Sequence, residues 1–481
     1  MLFNSLQFAI FLPIVFVLYW LVNNKSIKLQ NLLLLSASYF FYSCWDVRFL
    51  LLLIFSTFLD YFTGIMIYKS SRASGKKLWL FISIIVNLGF LVFFKYYNFF
   101  IDSFAASLSQ LGLSPNRASL NIILPVGISF YTFHGLSYVF DIYHNRIKPT
   151  TNWIEYSLFV SFFPLLVAGP IERATHLLPQ IEKPRKFDYQ KAADGLRQIL
   201  WGQFKKVVIA DGCAEYANLA FNNPDHYPAS TLFLGVIFFA FQIYGDFSGY
   251  SDIALGTARL FGFELLQNFK FPYFSRDIAE FWRRWHISLS SWFKDYLYFP
   301  LGGSRGGKWM QIRNTFIIFL VSGFWHGANW TFIVWGFLNA LFILPSIIVK
   351  TNRNNMNIVA PGKSFPTIQE LLKMLSTFGL ICFTWIFFRA ESVAKAFHYI
   401  SQLVSQTIFS RPAPGTFSVY IVVLVAVFIL IEWRGREQKY AIEGLSVVKY
   451  KLVRWSVYTA IIFVIGMFMQ TSETPFIYFQ F

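Results

Sequence analysis

The sequence contains few charged residues and few cysteines. Only 14% of its 481 residues are Asp, Glu, Lys or Arg, whereas a soluble domain carries about 25%. The three cysteines, Cys44, Cys213 and Cys382, are far apart and lack metal-binding or redox spacing, which excludes a disulfide-rich secreted scaffold. Hydrophobic residues make up 56% of the chain, and 59 residues are Phe. Because no soluble core could bury so many rings, we exclude an ordinary cytosolic enzyme and predict an all-α polytopic membrane protein.

The hydrophobic residues fall in runs of the length that crosses a membrane. The clear runs lie near residues 6–22, 30–45, 49–68, 78–94, 121–143, 231–246, 314–330, 331–349, 374–389, 417–433 and 455–470, with a weaker run at 250–266. At about 20 residues per crossing, they predict about 11–12 transmembrane helices. The first run lacks a basic leader and a small-residue cleavage site, so we predict that it is retained as a span.

Most basic residues lie in seven segments between these runs, at 23–30, 69–77, 144–152, 171–206, 270–313, 350–373 and 434–454. Together the seven segments contain 34 of the 41 Lys and Arg residues. If the N-terminus faces outward and the runs alternate, all seven segments face the cytoplasm, as the positive-inside rule requires. We therefore predict a multi-pass protein of the cell (inner) membrane with cytoplasmic basic loops. No single basic face is formed, so nucleic-acid binding is not expected.

The apolar run at 153–170 does not fit this alternation, because a crossing there would place the next basic segment outside. Pro164, Gly169 and Pro170 also interrupt a helix in this run. We predict a re-entrant segment, or one that lies along the cytoplasmic face. Broken backbone at membrane depth is tolerated where it is buried in protein or lines a cavity, so the run implies a cavity.

His326 is the first candidate for chemistry, in the segment SGFWHGANWTFIVWG. If its span begins at 314, His326 lies about 18 Å along a helix, near or beyond the middle of a ~30 Å hydrocarbon core. Gly323 and Gly327 leave room beside it for another helix or a substrate. An ionisable residue at this depth is a functional candidate, and burial favours a neutral ring that can accept a proton. The alternative is a histidine that packs and hydrogen-bonds between helices.

Two further clusters each allow a functional and a structural interpretation. The segment 281–307 combines Arg283, Arg284 and Lys294 with aromatic residues. Guanidinium groups favour a phosphorylated ligand, while an interfacial helix with snorkelling cations is the alternative.

The segment QIYGDFSGYSDIALG holds Asp246 and Asp252 in apolar surroundings. These carboxylates could form a proton or cation path, but such residues more often pair with a neighbouring Arg or cap a broken helix. We interpret three other polar residues in apolar runs, Asp60, His134 and Asp141, as structural until a partner is known.

Five blocks of the sequence resemble the membrane-bound O-acyltransferase family, specifically its alginate O-acetyltransferase branch. They are ILPVGISFYTF (123–133), LVAGPIER (166–173), QIYGDFSGYSDIALG (242–256), EFWRRWHISLSSWFKDYLYFPLGG (280–303) and FWHGANWTFIVWG (324–336). The resemblance also includes the opening segments LFNSLQFAIFLPIVFVLYW (2–20) and NLLLLSASYFFYSCW (31–45). The blocks run in family order over most of the chain and thin after about residue 350. His134 departs from the branch, which has an acidic residue at that position.

The resemblance implies an architecture and a set of site residues. The family fold is a ring of transmembrane helices around a thin central pore with a cytoplasmic funnel. It implies one acyltransferase domain over 1–481, with a core at about 121–350 and flanking helices at 1–120 and 370–481. By resemblance, His326 is the active-site histidine, in a tryptophan–histidine–glycine motif, and His286 is the second histidine, in a basic helix near the acyl-donor entrance.

Two further role assignments follow from this site. Arg283, Arg284 and Lys294 are expected to hold the donor phosphates. Asn329, three residues beyond His326, lies on a neighbouring helical position if the helix continues. It is expected to orient the ring or donate to the oxyanion.

The resulting functional hypothesis is an O-acetyltransferase that uses acetyl-CoA as a donor substrate, with no bound cofactor and no metal. Relatives of this branch pass the acetyl group outward, where an SGNH-hydrolase-like partner acetylates a surface polysaccharide. His326 acts either as general base or as a transient acetyl carrier, and the sequence leaves both open. Two other classes stay open: a transporter or channel, with Asp246, Asp252 and His326 as an ion path, and a non-catalytic scaffold of a surface-polysaccharide complex.

Overall fold

The computed structural model describes residues 1–22, 26–113, 119–167, 169–470 and 476–477. Within these ranges every regular element is helical, which confirms the predicted all-α class. The chain forms two compact units, Met1–Asp188 with Phe261–Leu265, and Tyr189–Leu260 with Leu266–Phe481. Parts of two predicted segments lie outside the described residues: the start of the first basic segment (23–25), and Ala168 in the run 153–170.

The first unit contains nine α-helices in its described part. They are α1 (Leu6–Leu21), α2 (Ile27–Ser43), α3 (Val47–Lys69), α4 (Ala73–Leu91), α5 (Tyr97–Gln110), α6 (Ile128–Tyr143), α7 (Trp153–Ser161), α8 (Phe163–Leu166) and α9 (Ala174–Ile181). A π-helical turn, Val92–Tyr96, joins α4 to α5.

The second unit contains eleven α-helices in its described part. They are α10 (Tyr189–Gln203), α11 (Asp211–Asn222), α12 (Ala229–Leu260), α13 (Ile278–Arg284), α14 (Ile287–Phe293), α15 (Lys308–His326), α16 (Trp330–Ile348), α17 (Ile368–Arg389), α18 (Val393–Leu403), α19 (Val419–Gly435) and α20 (Lys451–Phe468). Two π-helical segments follow α10 and α14, at Phe204–Ala210 and Lys294–Tyr298. Short 3₁₀ turns lie at Pro224–His226, Pro272–Phe274, Gln406–Phe409 and Glu443–Val447.

Six helices of the described chain are long and apolar enough to cross a membrane, so the protein is a multi-pass membrane protein. They are Val47–Lys69, Ala73–Gln110, Ala229–Leu260, Trp330–Ile348, Ile368–Arg389 and Lys451–Phe468. This number is below the 11–12 expected from apolar runs. One reason is helix length: the runs near 6–22 and 417–433 form α1 and α19, with 16 and 17 residues.

The two predicted runs at 231–246 and 250–266 form a single element. Both lie largely in α12, a continuous helix of 32 residues that is not broken in its glycine-rich stretch. In its most apolar window, 83% of the residues are buried, whereas Ile461 is the one buried residue of α20. Helix α12 is therefore the interior helix of its unit, and α20 presents most of its apolar side chains outward.

The run at 153–170 is interrupted, as predicted. Helix α7 has nine residues and α8 has four, and α8 begins at Phe163, directly before Pro164, after a break at Phe162. Neither helix reaches the length of about 20 residues that a crossing needs. Phe162 and Phe163 are fully buried, so the broken backbone is enclosed by protein.

The three isolated polar residues of the first unit have partners there. Asp60 accepts hydrogen bonds from Ser83 (2.7 Å) and Asn87 (2.8 Å), which join α3 to α4. Asp141 and His134 are likewise hydrogen-bonded within the unit. These bonds support the structural interpretation of all three residues, since buried polar groups are normally paired.

Glycines spaced seven residues apart bring α10 and α12 into backbone contact. The position that a Cβ atom would take at Gly195 lies 2.6 Å from the carbonyl oxygen of Gly256, and at Gly202 it lies 2.6 Å from that of Gly249. The reciprocal positions are equally close. Seven residues are about two helical turns, so both glycines of each helix lie on one face. Any side chain there would separate the two helices.

Replacing Gly202 by alanine is therefore expected to lower the free energy of unfolding by about 1–3 kcal/mol, the usual cost of overpacking. Unfolding of the purified protein in mixed detergent measures the change. Gly379→Ala is the matched control, because Gly379 also lies within a helix and nothing is within 4 Å of its Cβ position. It should be neutral or stabilising by up to about 1 kcal/mol. Equal effects at both positions would contradict the close contact.

Candidate active site

His326 is the last residue of α15 and is buried, with 4% of its surface exposed. Its ring packs against aromatic rings from three helices. The centroid distances are 5.0 Å to Trp325, 5.0 Å to Trp335 on α16 and 5.3 Å to Phe388 on α17. The histidine therefore lies in an aromatic pocket, defined here by Trp325, Trp335 and Phe388, that largely excludes water.

Glycines allow α15 and α16 to approach closely beside this pocket. A Cβ atom at Gly323 would lie 2.2 Å from the carbonyl oxygen of Phe332, and one at Gly336 would lie 2.3 Å from that of Phe319. A Cβ at Gly327 would lie 2.0 Å from the ring of Phe332. The predicted space beside Gly323 and Gly327 is thus occupied by another helix, α16.

His286 lies in the same aromatic region as His326. It directly precedes α14 and is 2% exposed. Its ring centroid is 4.7 Å from that of Phe247 and 6.0 Å from that of Trp325. Because Trp325 also contacts His326, one indole ring packs against both histidines. The structure therefore brings together the two histidines that the sequence assigned to the site.

The ring of His286 is held by Asn268. Its Nδ1 atom lies 2.9 Å from Oδ1 of Asn268, which is itself buried. Burial lowers the pKa of His286 to about 3, because low polarity disfavours the charged ring. His286 is therefore neutral at pH 7. A lone Asn in the segment QNFKFPYF carries no sequence signal, so sequence reasoning missed it.

The predicted helical position of Asn329 is wrong. Helix α15 ends at His326, since Gly327 is extended, and Asn329 is the N-cap of the next helix, α16. Its Oδ1 accepts from the backbone N–H of Thr331 at 3.0 Å, and its Nδ2 donates to the carbonyl of Glu391 at 2.8 Å. Its short polar side chain caps the start of α16, which is a favoured position for Asn. Its bonds shape the loop after His326.

The three predicted phosphate ligands have different surroundings. Arg284 is buried and pairs with Glu280 at 2.7 Å. Arg283 is half-buried and donates to the carbonyls of Asn352 (2.8 Å) and Asn355 (3.0 Å). Lys294 is exposed. The two arginines are thus already bonded to other residues of the chain, and Lys294 is the most solvent-accessible of the three cations.

The two carboxylates of α12 are paired with lysines rather than with arginine. Lys206 lies 2.9 Å from Asp246, and Lys205 lies 2.5 Å from Asp252. Both lysines belong to the π-helical segment that follows α10. This pairing favours the structural interpretation of Asp246 and Asp252 over an ion path. The sequence reasoning did not single out the lysines, because it placed them at the end of a basic loop.

A small cavity, partly open to solvent, lies beside this charged cluster. Its lining includes Lys205, Asp252, Tyr244, Glu432 and Asn268. The hydroxyl of Tyr244 donates to Glu432 at 2.5 Å. Because Asn268 both lines the cavity and holds His286, the polar wall of the cavity is connected to the histidine site.

No cluster of three or more His, Cys, Asp or Glu side chains suited to a metal occurs among the described residues. The fold and the site together define a class: an all-helical, multi-pass membrane protein with buried polar groups inside its helical core. Residues 145–390 match the family model described as MBOAT, membrane-bound O-acyltransferase family. The chain belongs to this family, and it is an acyltransferase.

Named relatives are similar over most of the chain. "Probable alginate O-acetylase AlgI" of Pseudomonas aeruginosa is 39% identical over 409 residues, covering 84% of this chain and 75% of that protein. "Peptidoglycan O-acetyltransferase" of Helicobacter pylori is 36% identical over 433 residues, covering 84% and 80%. "Teichoic acid D-alanyltransferase" of Bacillus subtilis is 27% identical over 297 residues, covering 59% and 72%.

Proposed function

We propose that this membrane acyltransferase takes acetyl from cytoplasmic acetyl-CoA and passes it across the membrane for O-acetylation of a polysaccharide outside the cell. The observation that carries the proposal is the burial of His326 in the aromatic pocket, with His286 also in contact with Trp325. Relatives named for alginate and peptidoglycan O-acetylation support an acetyl group and a glycan acceptor.

His326 has the chemistry that transfer from a thioester needs. Its neutral ring accepts the proton of the acceptor hydroxyl while the hydroxyl oxygen attacks the acetyl carbonyl carbon. The carbon–sulfur bond then breaks, and the departing thiolate takes up that proton to give free CoA. The alternative order has a ring nitrogen of His326 attack first and carry the acetyl group to the hydroxyl. In both orders Asn329 contributes by capping α16, and so by fixing the loop after His326.

The donor is expected to bind near the basic segment that contains Arg283, Arg284 and Lys294. Acetyl-CoA carries phosphates, for which guanidinium and ammonium groups are suitable partners. The proposal places this segment on the cytoplasmic side of the inner membrane, because basic loops favour that side. Lys294 would contact the donor first, because it is exposed. Arg283 and Arg284 would bind the donor phosphates after releasing their present partners within the chain.

The acceptor side of the proposal has two parts. The acceptor is a cell-surface or cell-wall glycan, alginate-like or related to peptidoglycan. An SGNH-hydrolase-like partner outside the membrane completes the transfer. The proposal treats residues 1–481 as one acyltransferase domain with its core at about 121–350.

Purified protein in proteoliposomes tests this function against the two other classes. Acetyl-CoA with a labelled acetyl group is supplied on one side, and alginate or peptidoglycan oligosaccharides with the partner protein on the other. We expect release of free CoA and labelled glycan. Solute flux without acetyl-CoA would favour a transporter. Binding of the partner with no loss of the thioester would favour a scaffold. The same liposomes with the His326→Ala protein are the matched control.

A further inference from the structure

Asn268 lies at the centre of a buried hydrogen-bond network around His286. Its backbone carbonyl accepts from the N–H of Ile287 at 2.9 Å. Its side-chain Oδ1 faces the His286 ring at 2.9 Å and accepts from the hydroxyl of Ser288 at 2.9 Å. Its Nδ2 donates to the hydroxyl of Ser251 on α12 at 3.2 Å. Asn268 thus links the start of α14 to α12 by hydrogen bonds.

This network determines which nitrogen of His286 carries the proton. The backbone N–H of Ser288 points at Oδ1 of Asn268 at 3.4 Å, and an N–H group can only donate. The atom that faces His286 is therefore the amide oxygen, which can only accept. Nδ1 of His286 must then carry the hydrogen, and the lone pair of the neutral ring lies on Nε2.

The other ring nitrogen, Nε2, is buried and has no hydrogen-bond partner in the described part of the chain. Leaving a buried acceptor unpaired costs free energy, so such an atom calls for an explanation. The backbone of His286 is also left-handed, with φ 44° and ψ 54°, which is unfavourable for a residue with a Cβ atom. The bonds from Asn268 hold the residue in this conformation.

We propose that Asn268 is a positioning residue, which holds His286 as the Nδ1–H tautomer and keeps its Nε2 lone pair available to accept a hydrogen bond from substrate. The proposal rests on the proposed function and assigns to this site a residue outside its two histidines. The substrate group is an O–H or N–H donor, because the lone pair can only accept. A hydrogen bond from substrate would also explain why Nε2 of His286 has no partner in the described part of the chain.

Two substitutions at Asn268 separate this role from simple packing. Asn268→Asp keeps an acceptor for Nδ1–H, whereas Asn268→Leu has a similar volume and no acceptor. We expect Asn268→Leu to lower kcat for acetyl transfer by about 100-fold with KM changed less than about threefold, and Asn268→Asp to stay within about tenfold of the parent. Equal losses in both variants would overturn the proposal.

A buried asparagine in the other unit gives a matched control for folding. Asn87→Leu also removes buried hydrogen bonds, to Ser83 and Asp60, but none to a histidine. Its kcat per folded molecule should match the parent value. A loss as large as that of Asn268→Leu would show that general loosening explains the result, and would overturn the positioning role.

The tautomer itself can be measured without any turnover. We expect ¹⁵N NMR of histidine-labelled parent protein to show a protonated Nδ1 and an unprotonated Nε2, with the His286 signals assigned by their loss in His286→Gln. A protonated Nε2 would overturn the proposal. If the parent protein turns over no acetyl-CoA, the proposed function fails, and this spectrum still tests the Nδ1–H tautomer on which the role of Asn268 depends.

Discussion

Replacing His326 by alanine is expected to lower acetyl transfer from acetyl-CoA by about 10²–10⁴-fold, the usual contribution of a general base. The reason is that no water can readily take its place, since its ring is 4% exposed and packed among Trp325, Trp335 and Phe388. Transfer is measured in membranes with labelled acetyl-CoA, and the rates are corrected for the amount of protein.

The control for this substitution is His398→Ala. His398 is half-exposed and pairs with Asp225 at 2.7 Å, so its loss should leave transfer at the parent rate. Undiminished transfer by the His326→Ala protein at normal protein levels would refute the catalytic role. Rapid quenching without acceptor then distinguishes the two mechanisms: acetyl label on His326 indicates a carrier, and its absence indicates a base.

The second large effect is expected at Lys206, where replacement by methionine should destabilise the protein by about 3–5 kcal/mol. The ammonium group is 2.9 Å from Asp246 and 2.8 Å from Asp211, and its side chain is only 2% exposed. Burial works against the charge, yet Asp246 and Asp211 raise the pKa of Lys206 above its usual value. Methionine fills similar space but leaves two buried carboxylates without their cation. Unfolding in mixed detergent measures the loss.

Lys395→Met is the comparison for this prediction. Lys395 pairs with Glu391, but both side chains are about two-thirds exposed, at 67% and 69%. Exposed pairs contribute about 0–1 kcal/mol, so this substitution should change stability little. If both substitutions cost the same, the buried contacts of Lys206 with Asp246 and Asp211 contribute no more to stability than an exposed ion pair.

The broad class of the protein could be predicted from composition and motifs. Low charge and long apolar runs are sufficient for an all-helical membrane protein, because apolar segments need burial or lipid and backbone groups must pair internally. The motifs around His286 and His326 were sufficient to indicate the family. The break at Phe162, two residues before Pro164, was also predictable, because proline removes a donor and clashes with the preceding turn of a helix.

Exact helix lengths were less predictable. Apolar runs measure hydrophobicity, whereas a helix ends where its backbone finds other partners. Thus α12 continues through Gly245, Gly249 and Gly256 because a neighbouring helix packs directly against them. In contrast, α15 stops at His326, before Gly327 and Asn329. Local spacing could not distinguish these two glycine-containing stretches.

By itself, the sequence determined the all-helical membrane class, the family and the identity of two candidate histidines. Only the tertiary structure decided that His286 and His326 both contact Trp325, that lysines pair with Asp246 and Asp252, and that Asn268 orients His286. The physical reason is distance along the chain. Composition and periodicity are local properties, whereas a ring's partner is set by helices that pack together from remote segments.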